Sequence, residues 1–181
     1  NLDYVLGMIR DNRELFQQTV KLRSMPTEEE YKQAKKLLPM IAPSGVFDYR
    51  NDDPENLREY SNVLVLDFDH FQSRLDAGEF KRNLIDNADR LHVYALWFSP
   101  SRLGVKVAMI HDSTNPMYHN ELFRCIREQL YPGIPEFDDK CGNLSRTFFL
   151  SSDPEIYINP QRDSLTPYHF EHSPSVRATP M

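Results

Sequence analysis

The sequence predicts an α+β fold in which four strands form one sheet backed by two helices. Residues 63–66 are an uninterrupted apolar run, which is typical of a strand buried on both faces. The apolar segments 92–98 and 104–110 are separated by too few residues for a crossover helix, so they should pair as an antiparallel hairpin. Amphipathic helices are expected at 75–90 and 116–131. The resulting order, βαββαβ, is the split βαβ arrangement of ferredoxin-like and RRM-like domains.

The remaining elements complete or flank this core. The first strand of the sheet is expected to span 63–69 and the last 147–150. Two extra helices should precede the core. Residues 3–23 are expected to form one helix, whose single apolar face consists of Val5, Met8, Ile9, Phe16 and Val20. A second N-terminal helix should begin at Thr27, which fits a capping box with Glu30.

The chain length favours a single domain. We expect this domain to span 1–165, with a helical part at 1–40 and the sheet within 60–160. Residues 166–181 contain Pro and Ser, and are expected to form an irregular tail or a linker to further domains of a longer parent chain. Two internal segments are also expected to be irregular, at 38–50 and 52–59. The basic residues of the second helix are expected to face solvent, and the alternative is that they form a binding patch: Lys32, Lys35 and Lys36.

Composition and charge disfavour several classes of protein. Of the 181 residues, 40% are hydrophobic and 27% are charged, which is ordinary for a globular domain. The formal net charge of −6 argues against binding nucleic acid by electrostatics alone, so a phosphate site would have to be local. Cys125 and Cys141 form no CxxC pair, which disfavours a disulfide framework or structural zinc and fits a reducing cytoplasm. No apolar run approaches about 18 residues, so no membrane span is predicted.

Two acidic residues stand at the end of the first predicted strand. Asp67 and Asp69 are two positions apart, so their side chains should project from the same face of the sheet. Two close carboxylates repel each other unless a cation or a proton lies between them. Mg²⁺ or Mn²⁺ is the expected cation because both prefer oxygen ligands. The alternative is that both acids only mark where the strand meets water.

The predicted hairpin carries groups suited to phosphate. The hydroxyl groups of Ser99 and Ser101, the backbone of Gly104 and the ammonium of Lys106 could form a phosphate cradle, with Arg102 added. The acids of the first strand are expected to hold their positions independently of these cations. The alternative is an ordinary hairpin turn with a solvent-facing lysine.

Three further positions are candidates for the same site. Asp138 and Asp139 could supply a third carboxylate for a metal centre, although adjacent acids in a loop are also common on surfaces. Arg146, at the start of a strand, could clamp a phosphate, or could form a structural ion pair with Asp153 or another acid. His70 could bind a metal or hydrogen-bond a sugar or phosphate, or could merely hold a neighbouring carbonyl group.

Four motifs occur in order along the chain: LPMIAPSGVFDYR, EYSNVLVLDFDH, SPSRLGVKV and NLSRTFFLSSDPEIYINP. Together they resemble the VirE N-terminal, primase-like domain family, a relative of the archaeo-eukaryotic primase superfamily. The resemblance extends over residues 38–160 and implies an RRM-like catalytic core.

The resemblance also implies metal-dependent nucleotidyl transfer. Asp67 and Asp69 match the Asp-x-Asp motif that binds Mg²⁺ or Mn²⁺ in that superfamily, and Asp139 lies where a third metal-binding acid is expected. The hairpin from Ser99 to Lys106 would hold the nucleotide phosphates, and Arg146 matches the arginine of the last motif. The implied partners are nucleoside triphosphates, a single-stranded DNA template and a helicase-type domain in the same parent chain. Such a chain would be a replication protein of a mobile element or phage.

Two other functions remain open from the sequence. One is a catalytically degenerate primase fold that binds nucleic acid or a helicase partner, since no histidine follows Ser99 or Ser101 where the superfamily has Ser-x-His. The other is a haloacid-dehalogenase-type phosphatase. Its nucleophile would be Asp67 and its acid/base Asp69, with Ser99 and Lys106 holding the phosphate. That fold requires a parallel, doubly wound sheet, which the short hairpin connection opposes.

Overall fold

A computed structural model describes residues 1–51 and 53–172 of the chain. The described residues form helices and strands in about the proportions of a mixed domain, which confirms the α+β class. The helices are α1 (Leu2–Asp11), α2 (Arg13–Arg23), α3 (Glu28–Lys35), α4 (Arg74–Asp86) and α5 (His119–Leu130). The strands are β1 (Met40–Ile41), β2 (Gly45–Phe47), β3 (Leu57–Tyr60), β4 (Val63–Phe68), β5 (Val93–Phe98), β6 (Val105–Ile110), β7 (Phe148–Phe149) and β8 (Tyr157–Ile158).

The central sheet has the strand order β4-β6-β5-β8, and each neighbouring pair is antiparallel. The predicted hairpin is therefore confirmed as β5 and β6, and the chain order β4-α4-β5-β6-α5 is also as predicted. This sheet does not have the parallel, doubly wound order that the phosphatase interpretation requires. The middle of β4, β5 and β6 is buried almost without interruption, as expected for strands covered on both faces.

The predicted fourth strand of the sheet is wrong. Residues 147–150 contribute β7, which pairs with β1 in a separate two-stranded sheet, and β8 occupies the outer edge of β5. The free edge of β4 is covered instead by residues 136–138. The Asp69 N–H donates to the Glu136 carbonyl at 2.8 Å, and the Asp138 N–H donates to the Asp67 carbonyl at 2.9 Å. These bonds occupy the backbone groups at the end of β4, so residues 147–150 cannot pair with that edge of the strand.

Three helices, rather than two, precede the sheet, because Asn12 interrupts the predicted helix 3–23. Asn12 has an extended backbone, and its side chain accepts a hydrogen bond from the Leu15 N–H, so it caps the start of α2 directly after α1 ends. Because of this break, residues of α2 do not continue the apolar face of α1. The predicted apolar face is therefore wrong for the residues that follow Asn12. Phe16 and Val20 are about half exposed, whereas Leu15 and Leu22 are buried.

The segments expected to be irregular contain short strands. Strands β1 and β2 lie within 38–50, and β3 begins within 52–59 and pairs with β2. Beyond the predicted domain end, Tyr168 is buried and forms a bridge with His111, so the described part of the tail packs on the sheet. The rest of the predicted tail, 173–181, lies outside the described residues.

The two faces of the sheet differ in character where β4 ends. Phe68 packs against Phe80 of α4 and against Tyr131, which follows α5, with ring centroids 4.8 and 5.2 Å away. Asp67 and Lys106 lie on the opposite face, since strand residues alternate and these two are register partners. The helices thus form a core beneath β4 and leave its acids on the other side. Among the described residues, no helix combines the length and the apolar character needed to cross a bilayer.

Candidate functional site

The structure brings six of the sequence-predicted residues to one cleft beside the end of β4. The cleft has a volume of about 370 Å³, and the predicted residues that line it are Asp67, Asp69, Ser99, Ser101, Lys106 and Arg146. Strand alternation places both acids on this side, and the β5–β6 hairpin brings the serines and the lysine opposite them. Residues from three separate sequence segments, the end of β4, the hairpin and the segment of Arg146, therefore meet around one space.

Asp67 and Lys106 form a buried ion pair at the base of the cleft. They are Cα partners across β4 and β6, and Lys106 Nζ lies 2.5 Å from Asp67 Oδ2. Only 8% of Asp67 and 5% of Lys106 is exposed. The expectation that the acids hold their positions independently of the cations is therefore wrong for this pair. The protein itself supplies a cation beside Asp67, because a carboxylate buried this deeply needs a partner.

The second oxygen of Asp67 is left without a hydrogen bond. Asp67 Oδ1 is buried and has no hydrogen-bond partner within the described residues. An ionised carboxylate accepts up to about four hydrogen bonds, and a buried oxygen without any is costly. Asp69 is less buried, and its Oδ1 accepts a hydrogen bond from the His70 N–H at 2.9 Å. The cleft therefore offers carboxylate oxygen that the protein does not fully satisfy.

The hairpin loop between β5 and β6 is closed by short internal hydrogen bonds. The Ser99 N–H donates to the Gly104 carbonyl at 2.8 Å, and the Ser99 and Ser101 hydroxyl oxygens lie 3.1 Å apart. Arg102 adopts φ +62°, a left-handed conformation that favours glycine, and its guanidinium lies over the Phe98 ring and beside Glu155. Arg102 thus stays with the outer side of the hairpin and does not line the cleft.

Gly104 is the point at which the hairpin approaches β4 most tightly. A Cβ atom at this position would lie 2.7 Å from Asp69 Oδ1, 2.7 Å from the Phe68 carbonyl oxygen and 3.0 Å from Ser99 Oγ. Side chains other than glycine would therefore displace the loop or the Asp69 carboxylate. The close contact explains why a glycine holds this position between the serines and Lys106.

Arg146 reaches the cleft from the segment before β7. One of its terminal nitrogens lies 3.5 Å from Asp138 Oδ2, and the guanidinium lies 5.9 Å from the centre of the Phe148 ring. The structural ion pair that the sequence allowed, with Asp153 or another acid, forms with Asp138, because Asp153 is bound by Lys81 at 2.8 Å. Arg146 Nε is buried without a hydrogen-bond partner in the described part of the chain. It retains a donor that an anionic ligand could use.

Two predicted site residues are not brought to the cleft. Asp139 points away, pairs with Arg127 at 3.0 Å and is largely exposed, so the structure does not place it as a third metal ligand. The neighbouring Asp138 lies nearer Asp67, because its backbone N–H is bound to the Asp67 carbonyl, but it does not line the cleft either. His70 is exposed at φ +67° and does not line the cleft. It holds the turn after β4 through its backbone.

The sequence analysis missed several residues of the site. Lys35 was assigned to a solvated face, but it lines the cleft with Nζ 5.7 Å from the Phe149 ring centre. Arg50 also lines the cleft and donates to Thr147 Oγ1 at 2.7 Å. No local pattern marks either residue, since both reach the cleft through contacts with the distant segment 147–149. The charged residues lining the cleft are four cations and two carboxylates: Lys35, Arg50, Lys106 and Arg146, and Asp67 and Asp69.

Cys141 and Asp138 lie beside Asp67 and form a hydrogen bond that the sequence did not predict. The Cys141 thiol donates to Asp138 Oδ2 at 3.2 Å. Burial, this hydrogen bond and the nearby Asp67 carboxylate raise the pKa of Cys141 to about 12. Burial alone would raise the pKa of Asp138, but hydrogen bonds from Cys141 and the Lys140 N–H, together with the Arg146 charge, hold it below its usual value. Asp138 is thus an ionised acceptor at neutral pH.

Comparison with known proteins gives one match. A family model described as the BT4734-like N-terminal domain matches residues 32–158, which include every described residue of the cleft. No curated protein and no solved structure matches the chain.

Proposed function

The chain belongs to the BT4734-like N-terminal domain family, and we propose that it is a metal-dependent nucleotidyltransferase domain of the primase type. The observation that carries the proposal is the convergence of Asp67, Asp69, Ser99, Lys106 and Arg146 on one cleft. The substrates are nucleoside triphosphates, used on a single-stranded DNA template. The sequence resemblance to primase-like domains supports a parent protein that replicates a mobile element or phage and also carries a helicase-type domain.

The charge of the cleft supports an anionic substrate. The whole chain has a formal net charge of −6, yet the described residues lining the cleft include twice as many cations as carboxylates. A triphosphate is bound by basic side chains together with a divalent ion, because both are needed to neutralise the negative charge of its phosphates. An acidic protein with a locally positive cleft would attract such a substrate to this surface alone.

Mg²⁺ or Mn²⁺ fits the acids at the end of β4. Asp67 Oδ1 is buried without a hydrogen-bond partner in the described residues, and Asp69 lines the same space. Both ions prefer carboxylate oxygen and usually keep open positions for substrate phosphates. When bound, such an ion supplies positive charge against the charge that develops on the transferred phosphoryl group.

The other residues of the cleft position the triphosphate. The Lys106 ammonium has three N–H donors, so it can hold Asp67 and still donate to a phosphate oxygen. Arg146 has a buried Nε–H without a partner among the described residues, and its planar guanidinium suits phosphate. The Ser99 and Ser101 hydroxyl groups share one hydrogen bond, so one of the two can donate to a phosphate oxygen. Positioning and electrostatic stabilisation are the main sources of catalysis in phosphoryl transfer, so no strong catalytic base is required.

Titration with a non-hydrolysable nucleoside triphosphate in the presence of Mn²⁺ tests this proposal. Replacing Lys106 or Arg146 by Ala removes a charge-assisted contact, and should weaken binding roughly ten- to a hundredfold. Arg124→Ala is the matched control, because Arg124 is exposed on α5 and does not line the cleft. Equal binding by all four proteins would overturn the assignment of the cleft to nucleotide.

A second candidate is a catalytically degenerate relative that binds nucleic acid or a helicase partner. It is favoured by the Asp67–Lys106 pair, which partly neutralises the acid, and by Asp139, which points away from the cleft. Incorporation of labelled nucleotide on a single-stranded template with Mn²⁺ separates the two candidates. Incorporation that is lost in Asp69→Asn supports the transferase, whereas triphosphate binding without incorporation supports the binding module.

A further inference from the structure

A thiol lies within metal-binding distance of the acid at the base of the cleft. One ligand atom from each of Asp67, Asp138 and Cys141 lies within 4.8 Å of the other two. The backbone imposes this arrangement, because the Asp138 N–H donates to the Asp67 carbonyl and the Cys141 N–H donates to the Asp138 carbonyl. The three residues are therefore held together by main-chain hydrogen bonds as well as by their side chains.

The Asp67 carboxylate independently indicates a ligand at this cluster. Only 8% of Asp67 is exposed, and its Oδ1 is buried without a hydrogen-bond partner in the described residues. Its other oxygen is already bound by Lys106. A buried carboxylate that has an oxygen without a partner and lies within reach of a second carboxylate and a thiol is suited to a cation more than to another hydrogen-bond donor.

The donor set differs from that of a hard-cation site. Mg²⁺ binds oxygen, whereas a thiolate favours Zn²⁺ and Co²⁺. In a tetrahedral Zn²⁺ site with bond lengths of about 2.0–2.3 Å, neighbouring ligand atoms lie roughly 3.3–3.8 Å apart. The Cys141 Sγ and Asp138 Oδ2 atoms are already 3.2 Å apart, and the widest separation in the cluster is at most 4.8 Å. A movement of about 1 Å would complete the geometry.

We propose that Asp67, Asp138 and Cys141 form a thiolate-containing site for a Zn²⁺-class cation. Binding breaks the Cys141 S–H bond, forms a metal–sulfur bond and releases the proton to water, as metal binding by cysteine requires. Because Asp67 belongs to both sites, the Zn²⁺-class cation competes there with the Mg²⁺ or Mn²⁺ of the transferase. This consequence rests on the proposed function, whereas the site itself does not. Zinc would then act as an inhibitor of nucleotide use.

Titration of the intact chain with Co²⁺ tests the site directly, since thiolate-bound Co²⁺ has a charge-transfer absorption that oxygen ligands do not produce. Wild type should show this absorption, and Cys141→Ser should lose it while keeping a hydroxyl donor for Asp138. Cys125→Ser is the matched control, because Cys125 lies on α5 outside the cluster. Its absorption should equal that of wild type. Absence of the band in wild type, or its retention in Cys141→Ser, would overturn the proposal.

A second variant and a competition separate this site from the transferase centre. Asp138→Asn should weaken Zn²⁺ binding at least about tenfold, and should leave Mn²⁺ binding within about twofold of wild type. Added Zn²⁺ should displace Mn²⁺ from wild type and fail to do so in Cys141→Ser. Unchanged Zn²⁺ binding in Asp138→Asn would contradict the three-ligand site. If the cobalt band appears but Mn²⁺ and triphosphate do not bind, the proposed function fails and the thiolate site stands.

Discussion

Asp67 and Lys106 face each other across two strands, and each would be an isolated buried charge without the other. The protein contains a second buried pair, Lys81 with Asp153, which serves as a comparison. Asp153 also accepts hydrogen bonds from the Phe98 and Glu155 N–H groups, so both of its oxygens are bound. Asp67 has one unbound oxygen among the described contacts and lines a cleft. The Lys81 pair is therefore structural, and the Lys106 pair is the one poised for a ligand.

This difference predicts contrasting effects of two equivalent substitutions. Lys106→Met and Lys81→Met each leave a buried carboxylate unpaired, which typically costs about 3–5 kcal/mol of unfolding free energy. Saturating Mn²⁺ should restore part of the loss in Lys106→Met, because the ion replaces the missing positive charge beside Asp67. It should restore none in Lys81→Met beyond the effect in wild type. Denaturant unfolding with and without Mn²⁺ measures both, and equal recovery in the two variants would contradict the account.

At the scale of elements, the β5–β6 hairpin must approach β4 closely for the cleft to form. Gly104→Ala would place a Cβ 2.7 Å from Asp69 Oδ1, so we expect Mn²⁺ affinity to fall by about tenfold or more, comparable to losing a metal-orienting contact. Gly78→Ala on α4 is the control, since a Cβ there meets nothing within 4 Å. It should stabilise the protein by roughly 0.5–1 kcal/mol. Calorimetric Mn²⁺ titrations compare them, and an unchanged affinity in Gly104→Ala would show that the close contact is unimportant.

The elements also show which parts of the site can be predicted from the sequence. Asp67, Ser99 and Lys106 were predicted because strand alternation and a short hairpin are local signals that survive in the fold. The predicted third acid is not found in the cleft, because neither Asp138 nor Asp139 lines it. Asp138 lies nearer β4 than Asp139 through a backbone hydrogen bond to the edge of that strand, which sequence spacing does not encode.

The larger errors have the same origin in tertiary contacts. The last strand was placed in the central sheet because its apolar pattern is that of a strand, but residues 136–138 already cover the edge of β4. The phase of the first helix was lost at Asn12, which is a strong N-cap residue and could have been read as a boundary. The helix boundary at Asn12 is thus encoded locally, as is the one at Thr27 that the capping box predicts.

At the scale of the whole molecule, a buried histidine links the sheet to the chain that follows it. His111 directly follows β6, forms a bridge with Tyr168 and packs against Tyr60, with the ring centroids 5.7 Å apart. Burial, only partly offset by the neighbouring Asp112 carboxylate, lowers the pKa of His111 from 6.5 to about 4. Between these values the unfolded chain binds a proton that the folded chain does not. The histidine therefore favours folding above pH 6.5 and loses this contribution as the pH falls toward 4.

The expected loss from this group is about 2 kcal/mol between pH 8 and pH 5. His111→Phe removes the group that takes up the proton. The unfolding free energy of this variant should therefore fall by about 2 kcal/mol less than that of wild type between pH 8 and pH 5. His70→Asn is the control, because His70 is exposed and Asn tolerates its positive φ. It should follow the wild-type pH profile. Denaturant unfolding across this pH range would contradict the prediction if the slope of His111→Phe matched that of wild type.

The central claim, that a divalent cation binds between the acids at the end of β4, is tested most directly by calorimetric titration of Mn²⁺ into the nucleotide-free protein. Wild type and the exposed-acid control Asp86→Asn should bind Mn²⁺ with the same affinity. The double variant Asp67→Asn/Asp69→Asn keeps the size of both side chains and removes both charges, so it should show no binding at the cleft. Equal Mn²⁺ binding by the double variant and wild type would contradict the metal site and, with it, the proposed transferase.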